Sequence, residues 1–231
     1  KEQSNHLKAY GIAYLVLSKN EKVDWLLNYR GGSFVCDYFQ EIERECKIRN
    51  VSYEVIPDSK YTAILTEIAD PDVNMDIVRL EKAPRIAVYT PDGKLPWDDA
   101  VTMVLTYAEI PFDKVYDDEI LGDKLIKYDW LHLHHEDFTG QYGKFYAGYH
   151  TADWYIEDVK KNEAMAHKHG FKKVSLLKLA VAKKIKDFVI GGGFLFAMCS
   201  ATDSFDIALA AEGDDICDKI YDGDPADPNA Q

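Results

Sequence analysis

The sequence has little cysteine, little basic charge and no long apolar run, and each shortage narrows what the chain can do. Four cysteines in 231 residues, at positions 36, 46, 199 and 217, are too few for a disulfide scaffold. Lysine and arginine total 27 against 40 aspartates and glutamates, a formal net charge of −13. That balance argues against nucleic acid and anionic membrane as partners, because both require a basic face. Nothing approaches the roughly eighteen apolar residues that a membrane span needs, so no membrane insertion is expected. There is no fixed-period repeat, no low-complexity tract and no glycine-rich phosphate loop. The acidic tail, with Asp214, Asp215, Asp218, Asp222, Asp224 and Asp227, lacks the glycine and glutamate of an EF-hand and reads as solvated. The chain opens at Lys1 without a methionine and stops in DGDPADPNAQ, so both ends read as cut, with a leader or N-terminal stretch removed.

What is present is a core. The apolar fraction is 47%, ample for a globular fold. NHLKAYGIAYLVLSKN reads as a helix capped by Ser4 or Asn5, VDWLLNY as a strand, DYFQEIERECKIRN as a helix, VSYEVIP as a strand and KYTAILTEIAD as a helix. Residues 72–82 show no period and read as a connection. The rhythm restarts with the strand PRIAVYT, a loop PDGKLPW and the helix DDAVTMVLTYAEI. FDKVYDDEIL reads as a strand with its exit loop, and YDWLHLHH as a strand. A polar, aromatic insertion follows. The helices EDVKKNEAMAHKHG and SLLKLAVAKKIKDFVIGGG come next, then the strand FLFAMC and the helix TDSFDIALAAEG. The alternation predicts an α/β fold, three-layer α/β/α with a mostly parallel sheet. It divides into an N-terminal α/β segment over 1–82 and a second α/β domain over 83–231, with one continuous sheet as an alternative.

The sharpest chemical signal is the cysteine. A short apolar strand, a turn and a helix place Cys199 at the carboxyl end of a parallel strand, where ligands gather in open α/β sheets. The following helix points its N-terminus at the sulfur, which favours thiolate. The competing reading is a packed, inert thiol, since free cysteine is among the most buried residue types. The second signal is HLHHED. On a strand, His132 and His134 share a face and His135 points the other way. His134 or His135 would serve as a general base with Glu136 as its orienter. Alternatively His132 and His134 begin a metal site suited to zinc or iron, although the spacing matches no standard zinc motif. A third reading has these residues binding the insertion structurally. Without the metal, no cofactor is expected.

Weaker candidates surround these. Asp92, Gly93 and Trp97 sit in the loop after PRIAVYT, which lines a cleft in many α/β folds, or forms an ordinary turn and cap. Asp137 belongs to the same carboxyl edge as the histidines. Arg30, beside Gly31-Gly32, could hold a carboxylate or phosphate. Tyr142 and the other aromatics of FTGQYGKFYAGYHTADWYI suit a small-molecule, peptide or carbohydrate wall, a subunit interface, or a loop pinned on its own domain. His167 and His169 read as surface residues.

PRIAVYT through FLFAMCSATDSF resembles the class I glutamine amidotransferase-like fold, a flavodoxin-like domain with a nucleophilic cysteine on a strand–turn–helix elbow. NYRGGSF, LPWDDAVTMVLTYAEIPF, WLHLHHEDFTGQYGKF and GGGFLFAMCSATDSFDIALAAEG together resemble bacterial proteins commonly labelled asparagine synthetase B. That resemblance covers nearly the whole chain. It implies Cys199 as nucleophile, a substrate with an amide or ester carbonyl, and export to a periplasm or beyond; without it the expectation is cytoplasmic. No cysteine stands near the N-terminus and no pyrophosphate loop is present, so asparagine synthesis itself is not expected. The family's Gly-x-Cys-x-Gly elbow is Ala197-Met198-Cys199-Ser200-Ala201 here. Its oxyanion loop corresponds to Glu136–Gly140. Its catalytic His and Glu ordinarily lie downstream; here no His follows Cys199, so those partners either lie beyond Gln231 or do not exist. A non-catalytic ligand-binding domain and a metal-dependent hydrolase built on HLHHED are the alternatives.

Overall fold

The computed structural model describes residues 3–91 and 100–230. The chain divides into two compact units, Lys1–Pro84 with Ala100–Pro111, and Arg85–Asp99 with Phe112–Gln231. It is a mixed α/β protein.

The first unit contains α1 (His6–Ser18), β1 (Val23–Leu27), β2 (Ser33–Val35), α2 (Gln40–Ile48), α3 (Asp58–Ile68), β3 (Asp76–Leu80) and α4 (Ala100–Ala108). The Asn5 side chain caps α1 by accepting the Lys8 N–H at 3.2 Å. Gly11 lets α1 cross α4 closely, since a Cβ there would lie 1.8 Å from the Ala108 carbonyl oxygen. Ile12, Val16, Val23, Ile42 and Cys46 form one apolar cluster, and Leu26, Tyr29, Ile64 and Ile68 another.

Two expectations fail in this unit. The helix–strand rhythm predicts parallel strands, but the sheet order is β2-β1-β3 and both pairings are antiparallel. The third strand lies within the 72–82 stretch that reads as a connection. Asp24 on β1 faces Arg79 on β3, and the pair forms a bidentate ion pair at 2.8 and 2.9 Å, which helps fix that register. VSYEVIP is not a strand. The Val51 N–H donates to the Cys46 carbonyl at the end of α2, and the Ser52 N–H to the Gln3 side chain, so these donors have no ladder to join.

The second unit carries a four-stranded parallel sheet in the order β5-β4-β6-β7, from β4 (Ile86–Tyr89), β5 (Asp113–Val115), β6 (Trp130–Leu133) and β7 (Phe194–Ala197). Its helices are α5 (Asp117–Leu121), α6 (Gly143–Tyr149), α7 (Asp153–Lys168), α8 (Val174–Ile190), α9 (Ser200–Ala210) and α10 (Lys219–Asp222). The expected exit loop after β5 is α5, and the insertion contains α6. Ala87, Tyr89, Leu131 and Leu133 project from one sheet face into a core shared with Leu177, Val181, Ala182 and Ile185, the apolar stripe of α8.

One polar cluster is buried in that core. Lys178 Nζ lies 2.8 Å from Asp117 Oδ2 and 3.1 Å from the hydroxyls of both Tyr89 and Tyr116. The Tyr89 hydroxyl donates to the other Asp117 oxygen at 2.5 Å.

The acidic tail is solvated only in part: Asp214, Asp218 and Asp224 are exposed, whereas Asp215, Asp222 and Asp227 are half-buried. Lys173 Nζ sits among Asp215, Asp222 and Asp224 at 2.6, 3.0 and 2.8 Å, and so ties the tail to the start of α8. His169 is likewise engaged, at 2.5 Å from Asp118. No helix among the described residues is long and apolar enough to cross a membrane.

Candidate functional site

The parallel sheet sets a pleated grid on its even-numbered face. The register pairs Ile86, Trp130 and Phe194 in one row, and Val88, His132 and Phe196 in the next. Continued by one pleat, it brings Thr90, His134 and Met198 to the carboxyl edge, immediately before Cys199. Thr90 is buried, and its hydroxyl has no hydrogen-bond partner among the described residues. His132 is buried too and stacks on Phe196 at 5.7 Å, deep in the sheet rather than at the edge.

Cys199 occupies the junction of β7 and α9. Its backbone sits at φ 53 and ψ −141, close to a region otherwise held by glycine, at a cost of about 1–3 kcal/mol. The turn closes without the elbow glycines. Ala201 is fully buried, so its methyl packs where little else would fit, and its N–H reaches the His134 carbonyl at 3.4 Å. The Met198 N–H donates to the Leu133 carbonyl at 3.0 Å. Cys199 is exposed, whereas Cys46 and Cys217 are buried. Burial pushes the thiols of Cys36 and Cys217 up to about 11, which makes them poor nucleophiles near neutrality.

The exit of β6 is pinned against this elbow. The Ser200 hydroxyl donates to the His135 carbonyl at 3.0 Å, and the Ser204 hydroxyl to the Glu136 carbonyl at 2.9 Å. His134 and His135 meet through their Nδ1 atoms at 3.0 Å. Glu136, the expected imidazole orienter, sits in the turn that follows β6. Its carboxylate accepts the backbone N–H groups of His134 and His135 at 3.3 and 3.2 Å, and so shapes the turn. The group that fixes His134 is its neighbour's ring.

Asp137 is also a turn builder. One carboxylate oxygen accepts from the Thr139 N–H and hydroxyl at 2.9 and 2.6 Å, and the other from the Tyr142 N–H at 3.1 Å. Tyr142 stands at φ 53 with its hydroxyl buried and without a hydrogen-bond partner among the described residues, and burial holds its pKa well above the usual phenol value. Its ring packs edge-on to Tyr155, within a network that also includes Tyr146, Tyr221 and Trp154. Gly140 closes the turn at φ +74, where a Cβ would fall 2.7 Å from the Ser175 nitrogen. Gly140→Ala is therefore expected to cost about 2 kcal/mol or more, read as a lower denaturation midpoint with an unchanged m-value.

The remaining candidates lie apart from this edge. Arg30 belongs to the first unit, at φ 52, with Nη1 3.8 Å from Glu54 and its guanidinium near the Tyr29 ring. Asp92, Gly93 and Trp97 lie outside the described residues. The HLHHED groups do not bring three ligand atoms together. Among the described residues, the set that does is Asp215, Cys217 and Asp222, and there the ammonium of Lys173 already supplies the positive charge. Two cavities of the second unit are also elsewhere. One of about 290 Å³ is lined by Phe138, Lys173, Ser175 and Asp215; another of about 670 Å³ by Leu125, Asp129, Phe188 and Gly191. Cys199 lines neither.

Compared with protein-family models, curated proteins and solved structures, the chain matches none.

Proposed function

We propose that this protein is a cysteine-nucleophile hydrolase or amidotransferase, of the class I glutamine amidotransferase-like fold, acting on an amide or ester carbonyl at the carboxyl edge of its parallel sheet. The observation that carries the reading is the backbone of Cys199, an exposed non-glycine residue at φ 53 and ψ −141 between a parallel strand and a helix of eleven residues. Strain of this kind persists where the surroundings impose it, and it presents the sulfur at the tip of the turn.

The proposed base comes from the β6 exit, where the His134 carbonyl accepts the Ala201 N–H two residues past Cys199. When His134 Nδ1–H donates to His135 Nδ1, the Nε2 atom of His134 carries the lone pair of a general base. It takes the thiol proton as sulfur attacks the carbonyl carbon, and the carbonyl π electrons move onto oxygen. The N-terminus of α9 favours that developing negative charge. The oxyanion re-forms the carbonyl and expels the amine or alcohol, which receives the proton from His134. Water or an amine then attacks the thioester and frees Cys199.

The test is turnover. Ammonia release from L-glutamine and simple primary amides, and acid release from nitrophenyl esters, should be measured for the wild type and Cys199→Ala. Turnover that falls to background in the variant supports the reading. Turnover unchanged in the variant overturns Cys199 as the nucleophile, and turnover absent for every amide and ester favours a ligand-binding domain instead.

A further inference from the structure

Resting on that reading, we infer that the substrate is an extended, basic peptide that adds to the sheet as a fifth strand along β7. In parallel pairing, alternate residues of a strand turn their main-chain groups to opposite sides. The Phe194 and Met198 N–H groups donate to the Asp129 and Leu133 carbonyls of the β6 side. The N–H and C=O groups of Leu195 and Ala197 therefore point away from β6, and among the described residues no strand lies beyond.

Natural edge strands are guarded by charge, proline or a bulge. This one carries none. Its outward-facing side chains are Phe194, Phe196 and Met198, exposed by 59%, 45% and 41%, and the stripe they form ends at Cys199. Main-chain groups at strand spacing are matched by an extended polypeptide, the basis of strand addition.

Charge selects the peptide. Asp203 and Asp206, three apart on the exposed face of the helix that begins beside Cys199, have no basic partner among the described residues. A peptide running along β7 past Cys199 reaches this acidic face, so a lysine or arginine near the reacting carbonyl is favoured. A second copy of a chain with a net charge of −13 is a poorer occupant.

The experiment uses three chloroketones on the whole chain, with modification of Cys199 followed by mass spectrometry. They are an N-acetylated tetrapeptide chloromethyl ketone containing lysine, the same peptide with glutamate, and the non-peptidic 2-chloroacetophenone. Corrected for intrinsic reactivity, the lysine peptide should label at least about tenfold faster than chloroacetophenone, the worth of two added main-chain hydrogen bonds. Ala197→Pro removes an outward N–H at a residue whose side chain packs against the core, so in the folded variant it should abolish that advantage while iodoacetamide labelling is unchanged. If the proline variant fails to fold, Asp203→Lys with Asp206→Lys should invert the preference between the lysine and glutamate peptides. Equal rates for peptide and chloroacetophenone overturn the strand-addition proposal and leave the nucleophile standing. No labelling by any chloroketone overturns the nucleophile itself. A concentration-dependent dimer in light scattering that slows peptide labelling assigns the edge to a second copy, and also overturns the proposal.

Discussion

Lys178→Met is expected to destabilise the second unit by about 3–5 kcal/mol, because it leaves the Asp117 carboxylate buried without its cation. The lysine stem would be replaced almost atom for atom, so little of the loss would come from packing. The double variant Lys178→Met with Asp117→Leu should recover most of it, since an apolar pair of similar volume carries no desolvation penalty. Denaturant titration of the four proteins closes the cycle, and additive losses would show that the two groups do not interact. The same cluster sets a pH limit. Burial opposes the charge of Lys178, yet Tyr116 and Asp117 hold its pKa above the ordinary lysine value. Burial, reinforced by Asp117, pushes Tyr89 well above the ordinary phenol value, and burial also raises Tyr116. All three groups bind their protons more tightly folded than unfolded. Their contribution is thus complete below about pH 10 and is lost as pH rises beyond it. Stability should fall gently from about pH 8.5, as the unfolded chain releases the thiol protons that Cys36 and Cys217 retain when folded, then steeply beyond about pH 10, with a shallower steep limb in the double variant.

The second large effect concerns Cys199. Cys199→Gly should raise stability by about 1–3 kcal/mol, because glycine adopts φ 53 and ψ −141 without the clash that a Cβ suffers there. Cys199→Ala keeps the Cβ and should leave stability near that of the wild type. Both variants lose the sulfur. A gain in glycine but not in alanine would identify stored backbone strain, the mark of a residue held for chemistry at the expense of stability. A loss in both would mean that the thiol itself packs productively and the strain is not there.

Much of the second unit was legible in the sequence, and the reasons are local. The apolar runs of β4, β6 and β7 and the stripe of α8 are fixed by periods that a linear pattern displays. The first unit was harder. Its third strand, DIVRL, interrupts its few apolar residues with Asp76 and Arg79 and lies mostly exposed, so no long run of hydrophobic residues announces it. Val51, Tyr53 and Val55 alternate like a strand, but their segment has no neighbouring ladder. Antiparallel or parallel pairing depends on which strands meet, and the helix–strand rhythm does not contain that. In the site, the strand–turn–helix transition locates Cys199, whereas its dihedral angles come from how α9 docks on β6. The bonds from the His134 and His135 N–H groups to Glu136 were not legible for the same reason, because sequence spacing does not show backbone partners. One missed feature did leave a signal. Lys178 stands four residues after Val174 and four before Ala182, on the buried stripe of α8, where an unpaired lysine would be intolerable. Its position calls for a buried carboxylate, and Asp117 is that group.

On the proposed reading, Cys199 is a nucleophile with His134 as its base. The most direct measurement is the rate of acetylation of Cys199 by 4-nitrophenyl acetate at pH 7.5, followed by mass spectrometry in the wild type, in His134→Ala and in the urea-unfolded chain. General-base assistance should make the folded wild type at least about 100-fold faster than His134→Ala. The acetyl group should then leave the wild type on standing, and persist in the variant. Equal rates in all three would contradict the account and reduce Cys199 to an exposed thiol on a strained turn.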